Sequence, residues 1–207
     1  MYARSTTVAG RPGSIDAGMT YVRDVVMPMV QGLAGWVGLS MLCDRQSGRC
    51  IITTSWETEE AMRTSAPMLR ATRARTGQIL GDPSPEVREW EVAIMRRLHP
   101  SGQAACTRVT WTRTDPTRVG DAIDAYRMGV VPEIEGWPGF CSVSMMVDRD
   151  EGTAVTAATY DDRASMEASR QLAAGLRNRF SGEVSVEILG VAEFELVLAH
   201  LRVPEMA

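Results

Sequence analysis

Two stretches of the chain carry the same strand and turn. Residues 32–48 read GLAGWVGLSMLCDRQSG, and residues 136–152 read GWPGFCSVSMMVDRDEG. Seven of these 17 positions agree at an offset of 104: Gly32/Gly136, Gly35/Gly139, Ser40/Ser144, Met41/Met145, Asp44/Asp148, Arg45/Arg149 and Gly48/Gly152. The offset holds upstream for Pro12/Pro116, Arg23/Arg127, Val26/Val130 and Pro28/Pro132. Downstream it pairs Trp56 with Tyr160, Met62 with Met166, Ser65 with Ser169, and Glu89-Trp90-Glu91 with Glu193-Phe194-Glu195. No gap is needed between residues 12 and 95, so the repeat reads as a duplicated domain rather than one unit of a solenoid.

The repeat divides the 207 residues into two small domains, 1–98 and 105–207, joined by the polar connector LHPSGQAA (98–105). A domain of this size buries a modest core, so a partner surface is expected, with a second copy of the chain as one candidate. The formal net charge is -4 and no basic cluster stands out, which argues against nucleic acid as a partner. Residues 1–20 lack the apolar core of a signal peptide and no apolar run approaches membrane-spanning length. A soluble, cytoplasmic protein with no membrane partner is expected. Cys43, Cys50, Cys106 and Cys141 show neither CxxC spacing nor a disulfide framework. Cys43 and Cys50 flank the turn 44–49 and are placed to face each other across a hairpin. Their counterparts are Val147 and Ala154, and cytoplasmic thiols are usually reduced, so free thiols are expected.

Each half reads in the same order. STTVAGR (5–11) and CTRVTWTRT (106–114) are rich in β-branched residues and predict strands. Met19, Val22, Val26 and Val30 then recur at helical spacing, as do Ile123, Tyr126, Val130 and Ile134. Gly32 and Gly136 are expected to stop these helices in a left-handed conformation. Strands 35–43 and 139–147 lead through the turns DRQSG and DRDEG into return strands 50–57 and 153–161. Asp44 and Asp148 suit turn hydrogen bonding. A second helix begins near Thr58 and Asp162, with Met62, Ser65, Leu69 and Thr72 on one side matched by Met166, Ser169, Ala173 and Leu176. Strands 86–96 and 184–199 close the halves.

Strand–helix–strand–strand–helix–strand, twice, is a ferredoxin-like pattern in the α+β class. The helices of such a unit cover one sheet face only. The return strand offers Ile51 and Thr53 on one side and Ile52, Thr54 and Trp56 on the other, so the bare face needs a cover. The expectation is a pseudo-dimeric α+β barrel closed by two ferredoxin-like (βαββαβ) halves within one chain.

GWVGLSMLCD (35–44) followed by TTSWETEEAM (53–62), and GFCSVSMMVD (139–148) followed by TAATYDDRASM (156–166), resemble the antibiotic biosynthesis monooxygenase domain of the dimeric α+β barrel superfamily, here in tandem. The resemblance spans roughly residues 5–98 and 105–201. It implies that fold, and a cofactor-independent monooxygenase acting on a small aromatic or quinol-type compound. The alternative is a non-catalytic ligand-binding or structural pseudo-dimer, because this scaffold carries many functions.

In family members that oxidise polycyclic aromatics without metal or flavin, the tryptophan at the position of Trp56 lines the pocket. By that resemblance Trp56 and Tyr160 are candidate substrate-stacking residues, with a core aromatic as the alternative. Leu69 completes an apolar wall, and the repeated Arg23 (Arg127 in the second half) is a candidate for binding a carboxylate or phenolate, or an ordinary surface charge. Ala66 is matched by Arg170 and Leu69 by Ala173, which favours the first half as the better site. Haem-degrading relatives place an iron-ligating histidine where this chain has Ser65 and Ser169, so haem is not expected. His99 and His200 show no metal-ligand spacing, and phosphate-loop, GxSxG and HExxH motifs are missing. No metal, no cofactor and no identifiable catalytic residue are expected.

Overall fold

The computed structural model of the chain describes residues 1–201. Its first compact unit comprises residues 1–90 together with the segment from Glu195. Strand β1 (Tyr2–Ala9) leads into a helical segment made of α1 (Ile15–Tyr21), a π turn (Val22–Val26) and α2 (Met27–Gln31). The hairpin β2 (Trp36–Cys43) and β3 (Arg49–Trp56) follows, then α3 (Glu59–Leu80) and β4 (Glu86–Arg97). The helical stripe read from the sequence packs as expected, since Val22, Val26 and Val30 join Ile52, Trp56, Met62 and Leu69 in one buried cluster.

The second unit comprises residues 91–194 and repeats the order. It contains β5 (Cys106–Arg113), α4 (Val119–Ala125), a π turn (Tyr126–Val130), α5 (Val131–Glu135), β6 (Phe140–Asp148), β7 (Thr153–Tyr160), α6 (Arg163–Ala168), α7 (Arg170–Val184) and β8 (Glu187–Leu201). Ile123, Val130 and Ile134 are buried with Tyr160, Met166, Ala173 and Leu176.

Inside the first unit the strands hydrogen-bond in the order β1-β3-β2-β8, and inside the second in the order β5-β7-β6-β4, with these pairings antiparallel in a mixed α+β architecture. β3 lies between β1 and β2, with Arg4 opposite Thr54 and Cys43 opposite Cys50. β7 lies between β5 and β6, with Arg108 opposite Ala158. The C-terminal part of β8, from Glu195, pairs with β2 inside the first unit, and β4 from Glu91 pairs with β6 inside the second. No helix among the described residues is long and apolar enough to cross a membrane.

Local chemistry accounts for the boundaries. The Thr58 hydroxyl accepts from Ala61 N–H at 3.1 Å and the Asp162 carboxylate from Ser165 N–H at 2.7 Å, so each caps its helix. Asp44 and Asp148 accept from the backbone N–H groups of Gln46 and Asp150, which fixes the hairpin turns. Three readings are corrected. Gly32 and Gly136 follow the first helices but are right-handed, at φ -82° and -81°; the left-handed glycines are Gly35 (φ 71°) and Gly139 (φ 67°). There an added Cβ would meet Ala61 or Ser165 in the facing helix, so the requirement is both conformational and steric. The second helix of the second half is interrupted at Ser169. Finally, β1 begins at Tyr2, so Arg4 lies inside the strand.

Candidate functional site

Each unit buries an arginine beneath its long helical layer. Arg4 is 2% exposed and Arg108 is 4% exposed. Arg4 Nη1 donates to Ser65 Oγ at 3.0 Å, and its Nη2 donates to the Met62 carbonyl and to Glu89 Oε1, both at 2.7 Å. Arg108 Nη1 donates to Ser169 Oγ at 2.9 Å, and its Nη2 donates to the Met166 carbonyl at 2.6 Å and Glu193 Oε1 at 2.9 Å. All partners differ by the same offset of 104. Burying a guanidinium is tolerable because a carboxylate and two neutral acceptors replace the water it loses. Glu193 also accepts from the exposed Arg170 at 2.8 Å. Arg170 therefore points outward, onto the same carboxylate.

Beside each arginine lies a cavity. The first unit's, of about 30 Å³, is bounded by Val22, Ile52, Thr54, Leu69 and Arg73 among others. The second unit's, of about 70 Å³, is partly open to solvent and includes Tyr126, Ala158, Tyr160, Ala173, Arg177 and Phe180 in its wall. Every residue lining the first has its counterpart 104 positions later in the wall of the second. Both π turns contribute, through Val22 and Val26 and through Tyr126 and Val130. A π turn redirects side chains that a regular helix would place on other faces.

The cavities differ in size and chemistry. The comparison of Leu69 with Ala173 favours the first half, but the structure places the larger space in the second. Leu69 fills the room that Ala173 leaves vacant, and Ala158 is smaller than Thr54. The second wall is also aromatic. Tyr126 and Phe180 meet edge to face with ring centroids 5.6 Å apart, and Phe140 and Tyr160 do so at 6.3 Å. The Arg108 guanidinium carbon lies 5.7 Å from the Tyr160 ring centre, within cation–π reach. Burial pushes the Tyr160 and Tyr126 phenols up, so both stay protonated near neutral pH and can donate. Burial, then the neighbouring Arg108 charge, pulls Arg177 down; burial and Arg4 do the same to Arg73.

Of the residues singled out from sequence, Tyr160 and Leu69 line the second and first cavities respectively. Trp56 is fully buried outside the first cavity's lining, its Nε1 donating to the cavity-lining Thr54 hydroxyl at 3.2 Å. Arg23 lies on the exposed surface, paired with Asp24 at 2.6 Å, away from either cavity lining. Ser65 and Ser169 anchor the buried arginines. Arg4, Arg108, Arg73 and Arg177 escaped the sequence reading. The signal was available: arginine recurs at the same offset inside a β-branched strand and on the inner side of the second helix.

The fold also gathers groups that sequence spacing keeps apart. His99, Cys141 and Asp161 offer ligand atoms within 4.8 Å of one another. This donor set could hold zinc, yet the groups also find partners without an ion. Cys141 Sγ donates to Asp161 Oδ1 at 3.2 Å, and His99 Nδ1 lies 3.1 Å from the Pro100 carbonyl oxygen. Burial, then the Asp161 hydrogen bond, pushes the Cys141 thiol up to about 12. The Cys50 hydrogen bond, then burial, likewise raises Cys43. All four cysteines are buried and none is in a disulfide. Native protein is therefore expected to resist iodoacetamide at neutral pH and to alkylate fully only in denaturant. Intact mass measures this, and rapid native labelling would contradict it.

No family model matches the chain. It is 47% identical over 207 residues to the uncharacterized protein Rv2558 of Mycobacterium tuberculosis, covering 100% of this chain and 87% of that one. Among solved structures, a proposed monooxygenase from Lactobacillus acidophilus NCFM superposes with a TM-score of 0.70 at 8% identity, covering 97% of this chain and 96% of the other. An anthrone oxidase-like protein gives a TM-score of 0.71 at 16% identity, with coverage of 100% and 95%. At such identities these likenesses establish the fold.

Proposed function

This chain belongs to the same family as Rv2558 of Mycobacterium tuberculosis, and on that premise we propose that it is a cofactor-independent monooxygenase of the antibiotic biosynthesis monooxygenase type, acting on a single-ring aromatic or quinol-type compound. The observation that carries this reading is the second unit's aromatic-walled cavity beside a buried arginine, on a fold shared with a proposed monooxygenase and an anthrone oxidase-like protein. We read the two units as the products of a tandem duplication, each a ferredoxin-like half of a pseudo-dimer, with the first cavity partly filled by Leu69.

The chemistry suits an electron-rich ring. A hydroquinone and dioxygen give a hydroxyquinone and water: one ring C–H becomes C–O, and the substrate supplies all the electrons that reduce the second oxygen atom. No carboxylate or imidazole lines the cavity among the described residues. Arg108 would therefore promote ionisation by stabilising the anion of the substrate, and the protonated Tyr126 and Tyr160 would donate to the developing oxyanion. The reading of Trp56 as a stacking residue becomes support for the wall through Thr54.

The same lack of a proton acceptor favours a second reading, a non-catalytic small-ligand-binding protein. Oxygen consumption with a panel of hydroquinones and anthrones, using protein stripped of metal and flavin, separates the two. Uptake with single-ring hydroquinones, lost in Tyr160→Phe or Arg108→Met protein that remains folded, is the expected result. Binding with no uptake across the panel would leave the binding protein.

A further inference from the structure

We propose that the second unit's cavity selects aromatic acids over neutral aromatics, with Arg177 as the residue that holds the carboxylate. This inference rests on the reading of that cavity as the substrate site.

The charges around the cavity are unequally matched. Arg108 has Glu193, and Arg170 uses the other oxygen of the same carboxylate. Arg177, on α7, lines the cavity half-buried, and no carboxylate is hydrogen-bonded to it among the described residues. Three guanidinium groups thus share one nearby carboxylate. A neutral ligand entering the cavity would strip water from Arg177 and give nothing in return. A carboxylate would replace that water with two parallel hydrogen bonds matching the planar fork. Burial, then the neighbouring Arg108 charge, pushes Arg177 down against a smaller upward pull from Tyr160 and Glu193.

The first unit differs in room. Its equivalent, Arg73, donates from Nη2 to the Ala66 carbonyl at 3.1 Å and keeps Nη1 buried without a partner, but it lies over a cavity of only about 30 Å³ that Leu69 narrows. The second cavity, at about 70 Å³, accepts part of one ring, and its open side leaves room for a substituent. A benzene ring needs roughly 150 Å³ when enclosed on all sides. An acid that inserts its ring edge among Tyr126, Tyr160 and Phe180 and keeps its carboxylate by Arg177 fits this shape.

Three probes share one ring: 2,5-dihydroxybenzoate, its methyl ester and hydroquinone. Titration calorimetry on the full chain should show the acid binding about ten- to a hundred-fold tighter than either neutral compound, as a charge-assisted pair would give. Arg177→Met should erase that preference while leaving ester affinity within about threefold. Arg177→Lys should keep part of it. Equal affinity for acid and ester, an undiminished preference in Arg177→Met, or failure of the acid to bind would each overturn the proposal. Selective binding of the acid without oxygen uptake would leave it standing and remove the monooxygenase reading. Uptake with hydroquinone and no preference for the acid would do the reverse.

Discussion

Replacing Glu193 by alanine is expected to destabilise the protein by about 3 kcal/mol and to lower its melting temperature by roughly 6–12 °C. Glu193 is the carboxylate that compensates Arg108, and Arg108 is only 4% exposed. Without it, the guanidinium keeps the Ser169 hydroxyl and the Met166 carbonyl but loses its counter-charge. Arg108→Met should cost less, because Glu193 is partly solvated and retains Arg170. The order Glu193→Ala worse than Arg108→Met is the discriminating result. Glu89→Ala should weaken the first unit less, since Glu89 is 42% exposed against 22% for Glu193 and water already carries part of its charge. Thermal unfolding of the three variants measures this. A Glu193→Ala protein as stable as the parent would mean that the buried guanidinium finds water, and would undo the account of the site.

The second large effect is reciprocal. Leu69→Ala should cost about 2–4 kcal/mol, because the side chain is 3% exposed and its removal widens a space that little else can fill. Ala173→Leu, the converse change 104 residues later, should cost little stability and reduce aromatic ligand affinity by about a hundredfold, since the added side chain occupies the cavity. Denaturant unfolding reads the first and calorimetry the second. If Ala173→Leu binds aromatic ligands like the parent, the cavity is not where they bind.

Element order was legible because the recurrent spacing tested each reading against a similar stretch 104 residues later: a helical stripe that keeps its period with Tyr126 in place of Val22 is under packing constraint. The buried arginines were illegible for a definite reason. A β-branched run marks a strand's middle better than its start, so Arg4 fell outside the predicted boundary while Arg108, 104 residues later, lay in plain view inside CTRVTWTRT. The helices stop at Gly32 and Gly136 as read, but the left-handed position lies one glycine later, because Gly32 and Gly35 look alike in sequence and only the approach of Ala61 tells them apart. Cavity volume is a difference between side chains on several elements. The Leu69/Ala173 exchange was visible, but whether the lost bulk opens a site or destroys a wall depends on Tyr126, Phe180 and Ala158, which converge only in the folded unit.

The pairing of β2 with β8 bears on the order in which a growing chain can complete its structure. Residues 91–194 form an uninterrupted stretch, and every strand of the second unit is present once that stretch has been synthesised. The first unit begins earlier and finishes later, because Gly38–Cys43 finds its second hydrogen-bonding neighbour only in residues 195–201. During synthesis of the intervening stretch, β2 carries an open edge, which invites pairing with another nascent chain. Ribosome-bound intermediates should therefore protect the second unit's amides from hydrogen exchange before those of β2, although β2 emerges first.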